Sequence, residues 1–125
     1  MPIQDTAFTN RIFFAREVGD ISQADAEAWA NALREHARKS AEPMGAVVDA
    51  LEVTSVSAAA RKIFAEASQT PNVRVVAVAT KHLPITQTVR VIGMMGKRGT
   101  IQVFATLEEA REYAQKRLEA VSTRH

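Results

Sequence analysis

The chain has 125 residues, 46% apolar and 24% charged, a composition that fits one globular domain with its own core and excludes a disordered or fibrous chain. It contains no cysteine, which rules out a disulfide framework, a thiol nucleophile and thiolate metal ligation. The formal net charge of +2 is too small to announce a nucleic-acid binder, but residues 1–80 carry 8 Lys/Arg against 10 Asp/Glu and residues 81–125 carry 8 against 4, so the C-terminal third is basic.

No basic segment followed by an apolar run opens the chain, and no stretch approaches the ~20 apolar residues of a membrane span, so a cytoplasmic location is expected. One domain over 1–125 is expected, ordered over about 10–121, with loose ends and a weakly signalled strand near 3–8. Residues 11–18, with Ile12, Phe13, Phe14 and Val18, read as the first clear strand, and Gly19-Asp20 as a turn. Ser22 caps a first helix with Asp25 three residues on, and Ala26, Trp29, Ala30, Leu33 and Ala37 form its apolar stripe. Pro43 closes the loop behind it. Residues 46–50 read as a buried strand, 51–56 as a loop, and Ser57 as the cap of a second helix with Ala60, Ile63, Phe64 and Ala67 inward.

Residues 73–79, rich in valine, give the clearest strand. A third helix over 84–96 opens with Pro84, which suits a first turn. Residues 101–104 form the last strand. Thr106 and Glu109 box the cap of a final helix with Leu107, Ala110, Tyr113, Ala114, Leu118 and Val121 inward. The alternation β-α-β-α-β-α-β-α predicts an α/β fold with a mostly parallel sheet of four or five strands and about four helices.

The run from Val47 to Ala60 resembles the STAS signature, with Asp49 at the strand-end aspartate and Val53-Thr54 in the loop, but Ser57, Ala58 and Ala60 stand where that family has Asp, the phosphorylatable Ser and Gly. The layout is more similar to the SpoIIAA-like subgroup. The turn Gly19-Asp20-Ile21-Ser22 and the closing Phe104-Ala105-Thr106-Leu107-Glu108-Glu109-Ala110 carry that resemblance over about residues 10–120. It implies a STAS/Sec14 type of architecture and a carrier or membrane-associated role for apolar ligands.

No constellation of residues announces catalysis. Asp49 ends a predicted parallel strand, where α/β proteins bind ligands, yet it reads first as a loop-ordering carboxylate that accepts backbone hydrogen bonds. Ser57, with Ser55 beside it, sits where a phosphate would gain from a helix N-terminus, or is simply a cap. A Ser57/His82/Asp49 triad lacks a nucleophile elbow, and the spacing of His36, His82 and His125 gives no metal motif. The segment Gly93–Thr100, with Lys97 and Arg98, reads as a helix end or as an anion cradle.

The third helix is the leading candidate site. Ile85, Val89, Val91 and Met95 span a broad apolar arc, with Met94 beside Arg90 outside it, more grease than a surface helix needs. Ile85, Val89, Arg90, Val91, Met94, Met95, Lys97 and Arg98 are therefore the expected ligand or partner surface, with Asp49, Ser55 and Ser57 as regulatory candidates. The expected function is a noncatalytic binding module without cofactor or metal. Its partner is a protein, an apolar small molecule, a peripheral membrane surface or a second copy, and not nucleic acid. The alternative is an anti-sigma-antagonist-like regulator that engages its partner at Ser57.

Overall fold

The computed structural model describes residues 3–96 and 100–122. Five strands form one sheet in the order β1-β2-β3-β4-β5: β1 (Ile3–Thr9), β2 (Ile12–Ile21), β3 (Met44–Val56), β4 (Val73–Ala79) and β5 (Ile101–Phe104). Between and after them lie α1 (Gln23–Lys39), α2 (Ala58–Ala67), α3 (Leu83–Met95) and α4 (Leu107–Ser122). The segment before Thr9, expected to be mostly loose, is thus a full strand, antiparallel to β2; the other pairings are parallel. Asn10 and Arg11, both with positive φ, make the two-residue connection that the twist of a hairpin favours.

The monotonic strand order dictates the layering. Parallel crossovers are right-handed as a rule, so three successive crossovers stepping the same way across a sheet place α1, α2 and α3 on one face. On that face Phe13, Ala15, Val48, Val76 and Val78 pack against Trp29, Leu33 and Ala60. On the other face, among the described residues, α4 is the one covering helix, with Ala110, Ala114 and Leu118 on Val47, Val75, Ala77 and Ala79. Helix starts follow the sequence. Ser22 and Asp25 form a complete capping box, Ser57 Oγ accepts from the Ala60 N–H at 3.1 Å, and Thr106 and Glu109 bond each other at the head of α4.

Two expectations fail together. Gly19-Asp20 is no turn, and residues 51–56 are no loop. β2 and β3 instead run on as a paired arm beyond the Asp49–Ala79 pairing, from Val18–Glu52 to Ile21–Val56. Bulges at Arg16/Val18 and Gly19/Asp20 interrupt this arm, and Gly19 has φ +74. The glycine and the charged residues that suggested turns serve bulges and a solvent-facing edge instead.

Candidate functional site

Helix α3 buries a narrow stripe. Ile85, Val89 and Ile92 face the sheet, as the spacing of four and three residues requires. Leu83 (63% exposed), Met94 (82%), Val91 and Met95 stay in solvent, with Arg90 also exposed. The apolar arc read from the sequence is therefore split. Ile85 and Val89 belong to the interior and are corrected from the outer surface, while Val91, Met94 and Met95 remain on it. Lys97 and Arg98 lie outside the described residues, as do His125 and the side chain of Val121. The start of the helix is weakly secured, because His82 makes no side-chain cap bond.

Under α3 the sheet and helices do not close completely. A cavity of about 50 Å³ lies between them, walled by strand residues such as Val48, Ala50 and Val78, by Trp29 and Phe64 from α1 and α2, and by Ile85 and Val89 from α3. By volume it has room for roughly three or four waters. The β2–β3 arm supplies Ile21, Val53 and Val56 to the same wall, so the irregular extension builds one end of the cavity. All the lining residues are apolar except Glu17.

Glu17 was not singled out in the sequence. It is 2% exposed, at the inward position of β2 shared by Phe13, Ala15 and Ile21, where the bulge between Arg16 and Val18 interrupts the ladder to β3. Its Oε1 finds no hydrogen-bond partner among the described residues, and neither does the Nε1 of Trp29, which shares the cavity wall. Burial, reinforced by the nearby Asp25 carboxylate, pushes the Glu17 pKa up to about 8, so the neutral acid prevails at pH 7. The signal in the sequence was an acid in the inward register of an otherwise apolar strand face.

The regulatory candidates lie elsewhere. Asp49 is buried, accepts from the Leu51 N–H at 3.2 Å and meets the Arg16 guanidinium at 3.4 Å; Arg16 also meets Asp5 at 3.2 Å. By strand alternation Asp49 shares the α4 face with Val47, away from the cavity. Ser55 donates to Asp20 at 2.7 Å beside Thr54 at 2.9 Å, and these bonds hold the exposed Asp20 carboxyl below its ordinary pKa. Ser57 is the cap of α2. Asp49 and Ser57 are eight residues apart along β3 and its end, roughly 25 Å of extended chain, so no Ser57/His82/Asp49 triad assembles. His36 stacks on Phe8 with centroids 4.4 Å apart. Among the described residues no cluster of His, Asp and Glu could hold a metal ion, and no helix is long and apolar enough to cross a membrane.

The SpoIIAA-like family profile matches residues 12–115. Among solved structures, a DUF3478-family protein from Shewanella loihica PV-4 with a SpoIIAA-like fold superimposes with a TM-score of 0.64 at 16% identity, covering 90% of this chain and 91% of its own. The anti-sigma factor antagonist SpoIIAA in its unphosphorylated form gives a TM-score of 0.60 at 12% identity, covering 89% of this chain and 96% of its own. A search of curated proteins gave no match.

Proposed function

The chain belongs to the SpoIIAA-like family, and from that premise we propose that it is a noncatalytic module that binds a small apolar ligand in the cavity beneath α3. The observation that supports this reading is the cavity itself: a partly open, almost wholly apolar cavity leaves side chains without packing partners, and an apolar ligand would supply them. Helix α3 is its movable wall. It holds to the interior through three side chains, lacks a side-chain cap at its start, and already presents apolar residues outward. The same outer residues, Leu83, Val91, Met94 and Met95, suit docking on a membrane or a protein that delivers the ligand.

The test uses n-hexane as the probe and Trp29, the one indole of the chain, as the reporter. Saturating n-hexane is expected to raise Tm by a few degrees and to shift the Trp29 indole resonance. Ala50→Leu, which fills the cavity, is expected to abolish both responses. A wild-type protein that responds in neither measurement rejects the reading.

A second reading, regulation through a protein partner at the start of α2, is favoured by the hydroxyls of Thr54, Ser55 and Ser57 gathered there. It requires a partner that distinguishes Ser57→Ala from Ser57→Asp; equal affinity for the two removes it.

A further inference from the structure

Resting on the cavity reading, we infer that the ligand carries a neutral oxygen head group, an alcohol or a carbonyl, held by the Glu17 carboxyl and the Trp29 indole N–H, with an aliphatic tail on the remaining wall. Glu17 and Trp29 are the described lining residues with polar side-chain atoms, and each has one such atom without a hydrogen-bond partner among the described residues. They are 2% and 1% exposed, so whatever serves these atoms must sit inside the cavity. An unmet polar atom in an apolar wall costs stability, and the inward register of β2 elsewhere holds Phe13, Ala15 and Ile21. A leucine at residue 17 would suit the fold better than glutamate. The acid is explained by a partner that arrives from outside.

The chemistry of the two atoms narrows that partner. The indole N–H only donates, so the head group must accept. Glu17, neutral at pH 7 because burial raises its pKa to about 8, both donates and accepts. An ammonium head would satisfy an ionised Glu17 but offers Trp29 nothing. A carboxylate head would accept from both, yet it brings a full charge into an apolar void. A hydroxyl or carbonyl oxygen meets both needs without charge. The resting volume takes an oxygen head and a tail of about two or three carbons; a six-carbon tail requires α3 to move outward.

The test is a ligand–residue cycle on the full chain with 1-hexanol, n-hexane and hexylamine, read at the Trp29 indole resonance. Because a hydroxyl loses more hydration than a methyl group, the informative quantity is the change in the hexanol-to-hexane affinity ratio between proteins. Glu17→Leu is expected to lower that ratio at least about tenfold, while Glu17→Gln, still neutral and polar, keeps it within about threefold. The indole proton is expected to move downfield with 1-hexanol and not with n-hexane. If n-hexane binds but Glu17→Leu leaves the ratio unchanged, or if hexylamine binds tightest, the head-group assignment is wrong and the cavity reading stands. If neither n-hexane nor 1-hexanol binds, both are wrong.

Discussion

Glu17 makes this protein's stability sensitive to pH in a way its sequence composition does not suggest. Its carboxyl titrates near 4.5 in the unfolded chain and at about 8 in the folded one. Between those values the folded state holds the extra proton, so stability falls as pH rises through that window. The full shift corresponds to a penalty on the order of 4–5 kcal/mol, complete above the folded value and absent below the unfolded one. Asp25 on α1 adds to the effect as the charged group facing Glu17. Urea unfolding at pH 5 and pH 8.5 is expected to show wild type losing several kcal/mol relative to Glu17→Gln, with the two converging toward pH 4. Parallel pH profiles for the two proteins would mean that Glu17 meets water in the folded state.

Among the elements, the second helix decides between a cap and a switch. Ser57 spends its oxygen on the Ala60 N–H, so Ser57→Ala is expected to cost about 1 kcal/mol, measured by thermal or urea unfolding. Ser57→Asp is expected to stay near wild type, because aspartate caps as well and favours the positive helix end. The β3–β4 contact sets a tighter limit. A Cβ on Gly45 would press on the Val75 Cγ1 and crowd the Val75 carbonyl oxygen, with Leu118 of α4 behind. Gly45→Ala is expected to destabilise by about 1–3 kcal/mol in the same assay. Gly19 differs: there is open space around it, and its cost for a side chain lies in the backbone at φ +74.

At the scale of the molecule, the sheet has unequal cover. α1 is anchored by Trp29 and Leu33, with Trp29 edge-on to Phe64 of α2 at 5.1 Å, whereas α3 spans a cavity and keeps much of its apolar surface outside. Hydrogen exchange is expected to be faster throughout α3 than in α1, and to slow in α3 when n-hexane binds; equal protection of the two helices would remove α3 as the movable wall. The sequence by itself determined the four helices, three of them with their caps, the apolar segments of the four parallel strands, and the family resemblance, because caps and buried strands are written in neighbouring residues. It also marked 84–96 as too apolar for an ordinary surface helix. It signalled β1 only weakly and did not reveal the β2–β3 arm, because exposed and charged residues look like loop until a partner strand supplies their hydrogen bonds. Only the tertiary structure decided which half of α3's arc is interior, and that Glu17 and Trp29 share one void. Those facts depend on which distant residues fill the space between sheet and helices, and packing of that kind has no period along the chain.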